Sequence, residues 1–359
     1  MHRLRYRQRA NRLLSGMPSF HVPATTVDFL RVDATIDVPL LEVRELSKGF
    51  THREGFLWQR NRVIHALEGI DLNIQPGQSL GVVGEAGSGK TTLARCVSGS
   101  LVPTHGQVYI DGEDIAGRNR HGFRGKLPYV FKLPQDNRRY LKSDLPVQAQ
   151  VAEALAVQRL RGPAAAKVVV ELVEMVGLQR TDLTRSPREI SSGGLQRTAL
   201  ACILARSYPH YPRLLVLDEP TTDLDRAAQA SFTNLLNELR IQHHLTYLVL
   251  TRDWTTARSL SDWIAILYSG RVIEIGLKAA IERNPRHPYT QALISSMADF
   301  APPQEVRNPL YSNSLATRPR GPGCIYYRDC PKAYGVCSKV EPQLEELGAG
   351  HRVACLLVN

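Results

Sequence analysis

The chain has 359 residues and is 43% hydrophobic, a share typical of globular proteins, and its length predicts one large domain with appendages or two domains. It contains no uninterrupted apolar run of about 18 residues, and its arginine-rich start lacks the apolar stretch of a secretory signal. We therefore expect no membrane span and a cytoplasmic location. The formal net charge of +11 would suit nucleic acid, anionic lipid or acidic partners, but the basic residues are too spread out to select one.

The first predicted elements are strands. Residues 1–38 show no sustained periodicity and predict a basic, poorly ordered extension. A strand-like run begins at Leu40 and is predicted to end at Phe50. A polar insert from Thr51 to Arg62 then leads to a second alternating stretch, VIHALEGIDLNI.

A glycine-rich stretch follows the third predicted strand, Leu80–Val83, and precedes a predicted helix. A strand, a glycine-rich turn and a helix form the usual context of a phosphate site, because backbone N–H groups and the helix N-terminus converge there. Lys90 can reach the β- and γ-phosphates, and the hydroxyl of Thr91 can bind Mg²⁺. The predicted nucleotide loop consists of Gly84, Glu85, Ala86, Gly87, Ser88, Gly89, Lys90, Thr91 and Thr92.

The remaining pattern alternates helices and strands. A hairpin is predicted near residues 106–115, with its turn at Asp111-Gly112, and helical spacing dominates residues 140–190. A Ser/Gly loop, ISSGGLQR, opens the next helix. The buried strand LLVLDEP ends at two carboxylates and is followed by a further helix and strand, which predicts an α/β fold.

The two carboxylates at this strand end, Asp218 and Glu219, suit phosphoryl transfer. Asp218 can hold Mg²⁺ through water, while Glu219 can orient the attacking water, and the reaction otherwise needs mainly positioning and charge neutralisation. The alternative is an acidic strand end that caps a neighbouring helix.

These stretches, in this order, resemble an ABC-transporter ATPase over about residues 40–285. The resemblance implies a P-loop ABC-type nucleotide-binding domain over residues 39–285, with a mixed sheet core, an antiparallel β subdomain and a helical insert at about 140–190. It also implies that Phe50 stacks on adenine. In this family two ATPase subunits close head to tail, and the Ser/Gly loop of one covers the γ-phosphate held by the other. The implied contacts with nucleotide come from Ser191, Ser192, Gly193, Gly194 and Asp225.

The sequence departs from the family pattern in three places. In the Ser/Gly loop, Ser192 occupies the position of the family's first glycine, and Gly194 occupies the position of its glutamine. The glutamine that senses Mg²⁺ is replaced by Lys132, and Gln135 could substitute only if the loop shifts. The switch histidine is replaced by Arg252, which can donate to a γ-phosphate but stays charged and presents a different geometry. We therefore predict an asymmetric heterodimer in which this subunit binds ATP and turns it over slowly or not at all.

The C-terminal residues, 286–359, add two features. The segment HPYT at His287 to Thr290 resembles the element that marks ATPase subunits of dipeptide and oligopeptide importers and of relatives handling nickel or other small solutes. Four clustered cysteines favour metal in a cytosolic protein, and the wide gaps lean toward an iron–sulfur cluster over zinc, with unmetallated thiols as the alternative. Importer ATPases are similar here, which suggests a small Cys-rich C-terminal domain with a [4Fe–4S] cluster. Its expected ligands are Cys324, Cys330, Cys337 and Cys355.

The resemblance implies a subunit that powers peptide import, bound peripherally at the cytoplasmic face of the inner membrane. Its expected partners are a second ATPase subunit, two integral-membrane permeases and an extracytoplasmic substrate-binding protein. The alternative is a pseudo-ATPase that binds nucleotide and regulates its partner. A DNA-repair ATPase is disfavoured because no long heptad pattern separates the two nucleotide motifs, so we expect no nucleic-acid partner.

Overall fold

The computed structural model describes residues 38–54, 60–115, 130–133, 136–297 and 321–358. Residues 1–37 of the predicted N-terminal extension and Gln135 lie outside these residues. The described residues belong to one compact unit.

A small antiparallel sheet contains the first two strands of the described chain. Its order is β2-β1-β4-β5. The strands are β1 (Leu41–Glu54), β2 (Arg60–Ile74), β4 (His105–Ile110) and β5 (Glu113–Asp114). The predicted strand end at Phe50 is wrong, because Thr51 pairs with Val63 and the ladder continues to Glu54. Backbone hydrogen bonding extends the strands through residues whose polarity indicated a loop. The predicted hairpin turn is confirmed: Asp111 and Gly112 have φ values of 55° and 77°, as in a type I′ turn.

A large mixed sheet forms the centre of the fold, with the order β11-β12-β10-β9-β3-β8-β7-β6. The adjacent strands β9, β3, β8, β7 and β6 run parallel, whereas β10 pairs antiparallel with β9 and β12, and β12 pairs antiparallel with β11. The strand bounds are β3 (Ser79–Val83), β6 (Val130–Leu133), β7 (Leu214–Asp218), β8 (Thr246–Thr251), β9 (Trp263–Tyr268), β10 (Arg271–Leu277), β11 (Glu345–Gly348) and β12 (His351–Val353). All residues of β3, β7 and β8 are buried, and apart from polar residues at their ends these strands are apolar runs without alternation.

Helices cover the large sheet and account for most of residues 140–190. The helices are Lys90–Val97, Asn137–Tyr140, Val147–Ala156, Gly162–Met175, Ser192–Ser207, Arg226–His243, Trp254–Leu260, Lys278–Arg283 and Pro288–Met297, with 3₁₀ turns at Arg180–Asp182 and Gly335–Ser338. In the described part of the chain, none of them is both long and apolar enough to span a bilayer.

The C-terminal strands extend the large sheet instead of forming a sheet of their own. Glu274 of β10 pairs with Val353 of β12, and β12 in turn pairs with β11. The sheet therefore crosses the predicted boundary at residue 286, and that boundary stays a prediction.

We predict that Phe232→Ala lowers the free energy of unfolding by about 3–5 kcal/mol, because it leaves a cavity in a packed core. Phe232 lies on the helix Arg226–His243, is 1% exposed and belongs to the cluster that joins this helix to the sheet. Ile241 on the same helix is 71% exposed. Ile241→Ala is the matched control and should change the free energy by less than about 0.5 kcal/mol. Denaturant unfolding measures both, and equal effects would contradict this packing.

Candidate functional site

The carboxyl ends of three parallel strands meet at one edge of the large sheet and place the two predicted motifs side by side. In β8, Thr251 pairs with Val83 of β3, and Leu250 pairs with Asp218 of β7. The hydrogen bonds continue one residue beyond each strand: Gly84 N donates to Thr251 O (3.3 Å) and Glu219 N donates to Leu250 O (2.8 Å). The glycine-rich loop and the acidic pair are therefore both anchored on β8.

The predicted nucleotide loop has the backbone that its glycines suggested. Gly89 has a φ of 110°, and a Cβ built on Gly84 would lie 2.2 Å from Leu267 O, so neither position accepts a side chain without a shift. No side chain caps the helix Lys90–Val97, which leaves its first N–H groups free to bind an anion. Ser88 Oγ is buried and has no hydrogen-bond partner among the described residues. Both observations fit a loop that binds phosphate oxygens.

Lys90 links the loop to the acidic pair. Its ammonium donates to Gly84 O (2.6 Å) and Glu85 O (2.8 Å) and lies 3.7 Å from Glu219 Oε1. Burial, partly offset by the carboxylate of Glu219, lowers the pKa of Lys90. The ammonium is therefore held inside the loop, within reach of an anion bound there.

The carboxylates of the acidic pair have different neighbours. Thr91 Oγ1 donates to Asp218 Oδ1 (3.4 Å), so the two predicted Mg²⁺ ligands do lie together. Lys132 Nζ lies 2.8 Å from Asp218 Oδ2. Glu219 has a positive φ of 51° and accepts hydrogen bonds from Thr222 Oγ1 (3.0 Å) and the backbone N of Arg252 (3.3 Å). The Arg252 side chain is exposed, so its predicted contact with a γ-phosphate stays a prediction.

The remaining predicted residues lie around this centre. Phe50 is 39% exposed, with the Lys48 ammonium 5.5 Å from its ring centroid, so the side chain is partly accessible. Ser191 caps the helix Ser192–Ser207 through Gly194 N, and Asp225 caps the helix Arg226–His243. Glu85 and Thr92 are half-buried, and Ala86 and Gly87 are exposed. A Cβ built on Gly193 would lie 3.5 Å from Ala228 Cβ.

Ser192 of the Ser/Gly loop lies near the acidic pair. It lines a cavity of about 270 Å³ together with Glu219 and Thr222. Gln196, one turn further along the same helix, donates to Pro220 O (2.8 Å) and also hydrogen-bonds to Asn137. This bridge, which sequence reasoning missed, fixes the helix start against the end of β7.

The HPYT segment contacts the nucleotide loop directly, a connection that the sequence did not reveal. Tyr289 N donates to His287 Nδ1 (3.0 Å), and Tyr289 Oη donates to Glu85 Oε1 (3.3 Å). The ring of Tyr289 also packs edge-on against Tyr268 and Tyr326, with centroids 4.7 and 5.4 Å apart. The only sequence signal was the motif itself, which the resemblance assigned to a family without giving it a contact.

The structure does not support the predicted [4Fe–4S] site, nor the zinc alternative. Cys324 N donates to Cys337 O (2.8 Å), and burial raises the pKa of the Cys324 thiol. Cys324 and Cys330 pack against the apolar cluster that contains Tyr289 and Tyr326. Within the described residues, no three His, Cys, Asp or Glu side chains are placed to hold a metal ion, and the cysteines are free thiols. Wide spacing did not distinguish ligating thiols from thiols that fill a small core.

Comparison with known proteins identifies the family. Residues 67–222 match the family model described as ABC transporter, and residues 273–337 match that of the oligopeptide/dipeptide transporter C-terminal region. The chain is 31% identical to the dipeptide transport ATP-binding protein DppF of Escherichia coli over 91% of its own length and 97% of that protein. It is also 31% identical to the oligopeptide transport ATP-binding protein AppF of Bacillus subtilis, over 89% and 98% of the two chains.

Solved structures confirm the predicted cassette fold. The dimeric ATP-binding cassette MJ0796, in a post-hydrolysis state with bound ADP and Pi, is 26% identical. It matches 66% of this chain and 98% of its own, with a TM-score of 0.57.

We predict that acidification destabilises the fold through His287, which is 1% exposed and whose pKa burial lowers to about 3. An unfolded histidine has a pKa of about 6.5, so below that pH the unfolded chain takes up a proton that the folded chain rejects. The loss should reach about 1.4 kcal/mol at about pH 5.5 and vanish above about pH 7.5.

The measurement is the difference in free energy of unfolding between these two pH values, in the parent chain and in His287→Gln. The variant should lose about 1.4 kcal/mol less on acidification. His105→Gln, at an exposed position on β4, is the matched control and should keep the parent slope. Identical slopes for the parent and His287→Gln would contradict the prediction.

Proposed function

The chain belongs to the ABC-type ATPases, among the dipeptide and oligopeptide transport ATP-binding proteins, and on that basis we propose that it powers the import of dipeptides or oligopeptides. The observation that carries this proposal is the contact between the two nucleotide motifs at one end of the parallel strands. Lys90 lies 3.7 Å from Glu219, and Thr91 lies 3.4 Å from Asp218. The chemistry of phosphoryl transfer needs these groups together.

The residues of this chain supply most of what ATP needs. The loop N–H groups and Lys90 bind the phosphates, Phe50 stacks on adenine, and Glu219 orients the attacking water. Thr91 Oγ1 and Asp218 Oδ1 are the two donors that would hold Mg²⁺, and the Lys132 ammonium beside Asp218 Oδ2 opposes that binding. The ion would neutralise charge on the β- and γ-phosphates. The uncapped helix and the unpaired Ser88 hydroxyl support phosphate binding.

The proposed partners follow from the relatives. A second ATPase subunit closes head to tail, so that Ser191, Ser192 and the glycines after them cover nucleotide held by the partner. Two permeases in the membrane receive the mechanical work, and an extracytoplasmic binding protein delivers substrate. The subunit would lie peripherally on the cytoplasmic face of the membrane. The basis for this assembly is the resemblance to DppF and AppF, which are transport ATP-binding proteins.

We propose that the ATPase pair is asymmetric and that this chain holds its slower site. Lys132 replaces a neutral glutamine and pairs with Asp218. Arg252 replaces a histidine, and its backbone N donates a hydrogen bond to Glu219 while its side chain is exposed. A regulatory subunit that binds nucleotide without turnover is the second candidate, and the Lys132 ion pair favours it. The intact acidic pair favours residual hydrolysis.

We expect Lys90→Ala to weaken ATP binding by at least about tenfold, because it removes the buried ammonium inside the loop. Equilibrium dialysis with ATP and Mg²⁺ on the full chain measures this. Lys167, whose side chain is 82% exposed, gives the matched control Lys167→Ala, which should bind ATP as the parent does. Unchanged binding by Lys90→Ala would remove the basis of the proposal.

Glu219→Gln in this chain alone should lower ATP hydrolysis by the assembled transporter by less than about twofold, because the partner site performs most of the turnover. The exposed Glu238 supplies the control Glu238→Gln, which should leave hydrolysis unchanged. Hydrolysis at background level in Glu219→Gln would show that this site is the active one and that the asymmetry is wrong.

A further inference from the structure

Lys132 forms an ion pair with Asp218, which is one of the two predicted Mg²⁺ ligands. Lys132 is opposite Val216 in the parallel pairing of β6 with β7, which places its side chain near the end of β7. Its ammonium is 2.8 Å from Asp218 Oδ2, with the two side chains 23% and 0% exposed. The contact is a charge pair without hydrogen-bond geometry, since Asp218 Oδ2 accepts no hydrogen bond from the described residues.

The chain's residues fit Mg²⁺ only in part. Asp218 Oδ1 faces Thr91 Oγ1 at 3.4 Å, so both expected donors are present. The same carboxylate is fully buried and already neutralised by a lysine. A second cation at this carboxylate would be repelled by the ammonium, and the repulsion is stronger in a buried site than in water. A lysine also provides a compact point charge, whereas glutamine provides none.

Lys132 is the cation that pairs with Asp218, because the neighbouring Lys90 makes its close contacts with other groups. Lys90 donates to the carbonyls of Gly84 and Glu85 and pairs with Glu219. Among the described residues, the ion pairs of Asp218 involve Lys132 alone. Lys90 is nearest to Glu219 and also lies within the field of Asp218, whereas Lys132 contacts Asp218. The Lys90 ammonium lies inside the predicted phosphate loop, and Lys132 is connected to that loop through Asp218 and Thr91.

We propose that Lys132 replaces much of the charge that Mg²⁺ supplies, so that this chain binds ATP with little dependence on a divalent cation. The inference rests on the proposed function, since it requires ATP to bind at this loop. It assigns Lys132 a role in nucleotide affinity that is separate from turnover. The ammonium balances Asp218 before nucleotide arrives and presents positive charge to the phosphates afterwards.

A purely structural role for the ion pair would give a different result from a role in charge compensation. If Lys132 only braces β6 against β7, its replacement should weaken ATP binding equally with and without Mg²⁺. If Lys132 supplies cationic charge, the replacement should weaken binding chiefly when Mg²⁺ is absent. The ratio of the two affinities therefore separates the two explanations, whatever the stability of the variant.

The experiment measures ATP binding to the purified full chain by equilibrium dialysis, once with excess Mg²⁺ and once with EDTA. The parent chain should bind ATP within about threefold of the same affinity in both conditions. Lys132→Gln should bind normally with Mg²⁺ and at least about tenfold more weakly in EDTA, a loss of about 1.4 kcal/mol. Lys132→Arg keeps the charge and should behave as the parent does. Lys167→Gln, at an exposed position, is the matched control.

Two results would overturn the inference: a parent chain that loses tenfold or more affinity in EDTA, or a Lys132→Gln variant with the parent's ratio. Lys132→Arg behaving like Lys132→Gln would also contradict it, because the charge is retained. Failure of the proposed function looks different: neither condition would then give saturable ATP binding, and Lys90→Ala would match the parent in both.

Discussion

The site depends on the register of three parallel strands. β8 lies between β3 and β7, and its last residues accept hydrogen bonds from the first residues after both neighbours, Gly84 and Glu219. A parallel ladder has evenly spaced hydrogen bonds, so this register fixes how far the two chains extend beyond the sheet. The glycine-rich loop and the acidic pair therefore meet because of backbone pairing, before any side chain contributes. The side chains then determine the charge and the chemistry of the site.

The charges at this meeting point are arranged as two pairs. Lys90 faces Glu219 inside the loop, and Lys132 faces Asp218 at the neighbouring strand. Buried charges are tolerated when they are paired, and each lysine removes much of the desolvation penalty of one carboxylate. Glutamine in place of Lys132 would leave the second carboxylate without this paired charge. The substitution thus changes the electrostatic balance of the site while leaving its backbone intact.

The sequence predicted the parts of this fold that local pattern controls. The strand–loop–helix at Gly84 to Thr92 and the hairpin turn at Asp111 were predictable, because glycine positions and apolar runs determine them. The true end of β1 was not, since cross-strand pairing extends it through polar residues. The Lys132 ion pair was also hidden, because it depends on β6 lying beside β7. Sequence identified the missing glutamine but could not locate the partner of the lysine that replaces it.

The packing of the cysteine thiols and the contact made by the HPYT segment were missed by the sequence analysis for the same reason. The thiols of Cys324 and Cys330 pack against the aromatic cluster that contains Tyr289, and spacing along the chain cannot separate such packing from metal ligation. Tyr289 in turn donates to Glu85 across a separation of 204 residues. Tyr289 therefore connects the C-terminal residues to the predicted nucleotide loop, through the hydrogen bond to Glu85 on one side and its ring contacts with Tyr268 and Tyr326 on the other. This connection depends on the packing of a buried aromatic side chain, which no local sequence pattern specifies.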